Sequence, residues 1–174
     1  MQELFKRLET HFKISNKKQK KADLAFCSVD SPTAAALVTH LKDVEGYGHL
    51  VFLTAVDYLE AGQFELVYML HNYDTKSDFG VKTRIDRTKP EMQSIHHLWA
   101  QAATYQRELK EMFGIEFPES PRLNEPFALE GWHEIPPMRR DFDTAAYSEK
   151  TFYPRPGRKT HDPAAHMEKE LGRK

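Results

Sequence analysis

Three apolar-rich runs separated by short turns constrain this chain more than anything else in it. Leu50-Val51-Phe52-Leu53-Thr54-Ala55-Val56-Asp57-Tyr58 begins as a continuous apolar run. Phe64, Leu66, Tyr68 and Leu70 stand apolar opposite Glu65, and Val81, Thr83 and Ile85 alternate with Lys82, Arg84 and Asp86. Alternation with a period of two is the mark of a strand, because successive side chains leave a pleated backbone on opposite faces. Glu60-Ala61-Gly62-Gln63 and the stretch holding Asn72, Asp74, Ser77 and Asp78 supply the turn chemistry between the runs. Strands joined this closely form an antiparallel meander. The first run reads as a central strand covered on both faces, and the second as one packed mainly on one side.

Helices are expected on either side. Leu4, Leu8, Phe12 and Ile14 make a short amphipathic helix, and the lysine-rich stretch from Lys13 to Lys21 then breaks the pattern and reads as a mobile, solvated connector. Leu24 to Val29 suits a short strand with Cys27 as a small apolar filler. Ser31-Pro32 opens a helix that runs to about Asp43 and is ended by Gly46 and Gly48. The expected class is α+β: an antiparallel sheet flanked by helices, in a domain over 1–117, followed by an extended proline-rich strap and tail over 118–174. From about Ala145 onward, including Tyr153-Pro154-Arg155-Pro156-Gly157-Arg158, the tail lacks the period of a core element and reads as extended.

The segment from Trp99 to Asp141 concentrates charge among large apolar side chains. Thr88-Lys89-Pro90-Glu91 has capping-box spacing, so a helix is expected from there, with Ile95, Leu98, Ala102, Tyr105, Leu109 and Met112 as its stripe and Gly114 as its stop. At about 100° per residue, Arg107 and Glu111 lie away from that stripe and Glu108 at its flank. Such charges are either a solvated face or are paired across an interface, since an unpaired buried ion is too costly to keep. Pro118, Pro121 and Pro126 then stiffen a strap whose Ile115, Phe117, Leu123, Phe127, Leu129 and Trp132 need something to pack on. It closes on Pro136-Pro137-Met138-Arg139-Arg140-Asp141.

Catalytic kits are missing from the sequence. One cysteine excludes an internal disulfide and a thiolate cluster site. No glycine-rich phosphate loop or nucleophile elbow occurs, and His96-His97 diverge by about 100° on a helix with no third ligand at the right spacing. Lysines plus arginines (25) nearly balance acids (26), which removes the basic field that nucleic acid would require. No apolar run approaches the roughly 20 residues that span a bilayer.

Residues from Leu50 to Phe142 resemble the thirty-kilodalton subunit of respiratory complex I. Leu53-Thr54-Ala55-Val56-Asp57-Tyr58 is similar to the family's Leu-Thr-Ala-Val-Asp-Tyr strand, and Phe64-Glu65-Leu66-Val67-Tyr68 to its Phe-Glu-Val-Val-Tyr strand. Gln106-Arg107-Glu108-Leu109-Lys110-Glu111-Met112-Phe113-Gly114-Ile115 looks like its signature, and Pro137-Met138-Arg139-Arg140-Asp141-Phe142 like its closing motif. Gln106 stands where the signature begins with glutamate, and Ser120 where the family has the histidine of Gly-His-Pro.

The resemblance implies a non-catalytic, cofactor-free peripheral-arm subunit of a membrane-anchored, ion-pumping redox complex of the NADH:quinone oxidoreductase type. It implies docking on the hydrogenase-like large subunit beside a cluster-bearing small subunit, with the strap wrapping the large one. Iron–sulfur clusters, or a nickel–iron centre, would then sit in the partners. The chain would lie peripherally on the cytoplasmic face of the membrane, touching it only through the complex. The same family serves membrane-bound group 4 nickel–iron hydrogenases and related ion-pumping reductases, so the electron acceptor stays open. The expected interface residues are Arg107, Glu108, Glu111, Phe113, Gly114, Trp132, Pro137, Arg139, Arg140 and Asp141. A free-standing binding module, or a small enzyme, using the basic patches is the reading from another class.

Overall fold

A computed structural model describes residues 1–151 of the chain. It divides into two compact units at Asp141/Phe142. The first unit carries one five-stranded sheet in the order β1-β2-β5-β4-β3: β1 (Ser15–Lys21), β2 (Leu24–Asp30), β3 (His49–Tyr58), β4 (Gln63–Asn72) and β5 (Ser77–Asp86). The meander β3-β4-β5 forms as its turn spacing requires, antiparallel throughout. The sheet as a whole is mixed rather than antiparallel, because β2 joins β5 in parallel register, Leu24 opposite Asp78 and Cys27 opposite Val81. The reason lies in the connection: a helix between β2 and β3 returns the chain to the same end of the sheet, so those strands share a direction, and β5 shares it too.

Three helices cover one face. In α1 (Gln2–Glu9) Leu4, Phe5 and Leu8 are buried, and the Phe5 ring meets Phe79 of β5 at 5.8 Å between centroids. Helix α2 (Ser31–Asp43), opened by Pro32, buries Ala34, Ala35, Leu37, Val38 and Leu41 against β2 and β5. Helix α3 (Ala102–Phe113) packs on β3 and sets Phe113 edge-on to Phe64 of β4. Cys27 faces this core fully buried, and burial pushes its thiol pKa up to about 12. It is an inert filler.

Three local expectations fail for physical reasons. The lysine-rich stretch is not a connector: it is the edge strand β1, exposed along its whole length and paired antiparallel with β2, so no apolar alternation marks it. The run over Leu50–Tyr58 is not central but the opposite edge, and its outward side chains remain exposed. No helix starts at Thr88. Both the amide and the hydroxyl of Thr88 bond to Asp86 Oδ1 in a tight turn, and the amides of Met92 and Glu116 bond to the carbonyls of Glu116 and Pro90. That bridge lays Met92 and Ile95 into the core beside Ile115 and Phe117 without helical structure.

Residues from Phe142 onward form the second unit, of which 142–151 are described. The segment over Thr144–Thr151 is not extended but helical, as α4. Asp143 starts it, its Oδ1 accepting from the amides of Ala145 and Ala146. The expectation of an extended chain from Tyr153 to Arg158 and beyond lies outside the described residues.

Candidate docking surface

Gly114 ends α3 in the left-handed conformation, φ 77°. A Cβ at this position would lie 2.8 Å from Arg139 Nη2 and 3.3 Å from Pro136 Cγ, so glycine is required twice, for the turn and for the close approach of the strap. Arg139 donates from Nε to the carbonyl of Phe113 at 2.6 Å, and the amide of Met138 bonds to Met112 O at 3.0 Å. These bonds satisfy carbonyls that the last turn of a helix leaves free. The end of the strap therefore finishes the helix.

From there the chain reaches β3. Asp57, 2% exposed, receives Arg87 in a two-pronged contact, Nε to Oδ1 at 2.9 Å and Nη2 to Oδ2 at 3.1 Å. The backbone amide of Arg140 adds a third bond to Oδ2 at 2.9 Å. Asp141 pairs with the same arginine at 2.6 Å, and the Arg140 side chain pairs with Glu60. Burial by itself would raise the pKa of Asp57, but Arg87 and the Arg140 amide outweigh it and hold the carboxyl below its ordinary value. The hydrogen bond from Arg87 depresses Asp141 likewise. Arg87 and Arg139 lie 5.6 and 5.4 Å from the Phe64 ring centroid, so two cations share one aromatic.

The middle of the strap hangs on Glu111. Its carboxylate accepts the amides of Phe127, Ala128 and Leu129 at 2.7, 2.9 and 3.1 Å. Three amides on one ionised acceptor form a strong tie. Arg107, one turn earlier, stands 5.8 Å from the Phe127 ring and 3.9 Å from Glu125. Glu108 is half-buried at the flank, and its side chain forms no ion pair with another described residue. Trp132 donates from Nε1 to Ile135 O, bracing the bend before Pro136 and the half-buried Pro137. Phe113 is buried in the core rather than presented outward.

The ten anticipated residues thus fall into two sets. Glu111, Gly114, Arg139, Arg140 and Asp141 tie the strap to helix and sheet, so the charges that suggested a missing partner are largely satisfied within the chain. Among the exposed side chains of the strap, Phe127, Ile135 and Met138 are large and apolar, and they stand between exposed polar ones such as Glu119, Arg122, Glu130 and His133. Three participants escaped the pattern. Asp57 and Arg87 are the anchors of the clamp, and Gln106 is fully buried, its Oε1 accepting from Ser94 and Ser120 at 2.8 and 2.7 Å. His96 Nδ1 lies 2.9 Å from the same Ser94 hydroxyl. The position of Gln106 on the stripe side of α3 was legible; its two serine partners, 12 and 14 residues away, were not.

Among the described residues, no group of three or more histidine, cysteine or acidic side chains is placed to hold a metal, and no helix is long and apolar enough to cross a membrane.

Residues 27–148 match the family model described as the respiratory-chain NADH dehydrogenase 30 kDa subunit. A subunit of the NADH-quinone oxidoreductase of Moorella thermoacetica is 34% identical over 120 residues, covering 69% of this chain and 80% of that protein. A subunit of the F(420)H(2) dehydrogenase of Methanosarcina mazei is 30% identical over 115 residues, 66% of this chain and 73% of that one. A chain of the membrane-bound sulfane sulfur reductase, an archaeal respiratory membrane complex, superposes with a TM-score of 0.80 at 28% identity, covering 87% of this chain and 90% of that chain.

Proposed function

The chain belongs to the family of the respiratory-chain NADH dehydrogenase 30 kDa subunit, and from that membership we propose that it is a non-catalytic, cofactor-free subunit of a membrane-anchored, ion-pumping redox complex. The family match is the observation that carries this reading. It docks on the hydrogenase-like large subunit beside a cluster-bearing small subunit, and iron–sulfur clusters, or a nickel–iron centre, reside in those partners. The chain sits on the cytoplasmic face of the membrane and reaches it only through the complex.

Within it, residues 1–117 are the folded support and 118–174 the segment that wraps the large subunit. Glu111, Gly114, Arg139, Arg140 and Asp141 act by holding the strap in one shape, so that docking does not have to order it. Phe127, Ile135 and Met138 are its contact side chains, with Arg107, Glu108 and Trp132 beside them and Phe113 and Pro137 as supports.

A second reading of the electron acceptor has its own support. The sulfane sulfur reductase chain superposes over 87% of this protein with a TM-score of 0.80. The chain then belongs to an ion-pumping reductase related to group 4 hydrogenases. Purification through a tag on this chain from native membranes tests both readings. The expected product contains a hydrogenase-like large subunit and a cluster-bearing small subunit, and the reduction it supports, of quinone or of sulfur, selects the acceptor. Recovery of the tagged chain alone from mildly solubilised membranes overturns the subunit role.

A further inference from the structure

The strand register sorts the side chains of the sheet into two faces, and all three helices of the first unit lie on one of them. The other carries Phe52, Thr54 and Val56 of β3, Glu65, Val67 and Met69 of β4, Gly80, Lys82 and Arg84 of β5, and Phe26 and Ser28 of β2. A sheet face left to water is normally polar along its outward positions. Here Phe52 and Val56 are 37% and 43% exposed, with Val51 and Leu59 exposed beside them. Charged residues fill the middle of the face, Glu65, Lys82 and Arg84, with His49, His71 and Asp78 toward one end of the strands and Gln63 and Asp86 toward the other, so the exposed apolar side chains gather at the β3 edge. An exposed apolar edge beside ordered charged side chains suits a protein interface better than open water.

That face is also organised in advance. The Phe26 ring lies so close over Gly80 that a Cβ there would fall 2.2 Å from Cδ1. Lys82 Nζ stands 5.8 Å from the Phe26 centroid and 2.7 Å from Glu65 Oε1. Glu65 Oε2 meets Arg84 at 3.3 Å, and the Arg84 guanidinium lies 4.8 Å from the Tyr58 ring centroid. A ladder of ring, cation, carboxylate, cation and ring therefore crosses four strands. Side chains already held this way lose little freedom when covered.

Charge identifies what covers them. Register puts Lys18 and Lys21 of β1 on the side of Phe26 and Leu24. Lys20 stands close enough to Lys18 and Lys82 that its pKa is held below the ordinary value, with Lys18 the main cause. No carboxylate among the described residues forms an ion pair with Lys18, Lys20 or Lys21. We propose that the face of the sheet opposite the three helices of the first unit is a second docking surface, one that takes a flat protein surface apolar where it meets β3 and acidic where it meets β1. The proposal rests on the subunit reading: the occupant is another surface of the same complex. A bilayer fits the face poorly, since a carboxylate, Glu65, lies at its middle and the Phe26 ring lies against the sheet instead of projecting.

The test uses the assembled complex carrying a photoreactive phenylalanine analogue at Phe52, with the same analogue at Met138 on the strap as a reference. The expected result is a protein adduct from position 52 mapping to a surface of another subunit that is apolar there and acidic to one side. Lys18→Glu with Lys20→Glu should lower its yield about tenfold at low salt, while the Met138 adduct is unchanged. A Met138 adduct without a Phe52 adduct overturns the inference and leaves the subunit reading standing. So does a Phe52 adduct to lipid or to a second copy of this chain, or a yield indifferent to charge reversal. No adduct at either position, with the chain purifying alone, removes both. Val56→Lys serves as the folding control: it should melt normally in the isolated chain yet abolish the Phe52 adduct.

Discussion

The strap clamp and the β1 flank handle charge in opposite ways. At the clamp, Arg87 has two acids, Asp57 and Asp141, and Asp57 has two donors, Arg87 and the Arg140 amide, so every charge is spent inside the chain. At the flank, Lys18, Lys20 and Lys21 crowd one another on an edge strand without an acid among the described residues. The difference teaches that the most conspicuous charges in a sequence need not be those that meet a partner. The arginines and acids of the clamp hold the chain to itself, while Lys18, Lys20 and Lys21 of β1 pair with no acid among the described residues.

Substitutions at the clamp should therefore damage the isolated chain, and those at the flank should spare it. The largest loss is expected for Asp57→Ala, which removes three charge-assisted hydrogen bonds at once, leaving Arg87 with Asp141 alone and the Arg140 amide without its acceptor. It should cost about 3–5 kcal/mol, read as a lowered urea midpoint and faster amide exchange over 136–141. Gln106→Ala leaves two buried serine hydroxyls without their acceptor and opens a void, an expected loss of about 2–4 kcal/mol by the same denaturation. Gly114→Ala forces a left-handed alanine against Arg139, for about 1–2 kcal/mol, and should also release the strap to protease between 123 and 138.

Acid offers a milder attack on the same clamp. Asp57 and Asp141 have folded pKa values below those of the unfolded chain, so the unfolded chain binds more protons in acid. Their stabilisation is complete above about pH 5 and is lost as pH falls through the folded values. The urea midpoint should fall between pH 5 and pH 3, and less steeply in Asp57→Asn. The smallest effect belongs to Lys18→Glu with Lys20→Glu, which should leave the urea midpoint of the isolated chain unchanged. A large loss there would erase the contrast between clamp and flank.

What local pattern controls was readable from the residues: the meander, the opening of α2 at Pro32, the stop at Gly114 and the apolar stripe of α3. What depends on distant partners was not. Nothing within β2 announces that it lies beside β5, because pairing in a parallel register is decided by the crossover helix and the core it covers. A fully exposed edge strand such as β1 has no apolar side to alternate with. The capping-box spacing at Thr88 lost to Asp86, which takes the same amide and hydroxyl for a turn. Most instructive is β3, whose continuous apolar run predicts cover on both faces, although the side chains of one face are exposed. In the stretch from Trp99 to Asp141 the charged residues stood out in the sequence but their partners did not, since Asp57 lies 83 residues from the amide it holds.

That separation also sets an order of events in time. A chain leaving the ribosome presents Asp57 and Arg87, 30 residues apart, long before Arg140 is made. The meander and its ion pair can close first, and the clamp, which joins the most distant residues, closes last. During that interval the strap is still an unfastened end. The bond from the Arg140 amide to Asp57, 83 residues back, is thus the one that fastens a finished sheet to the end of its strap.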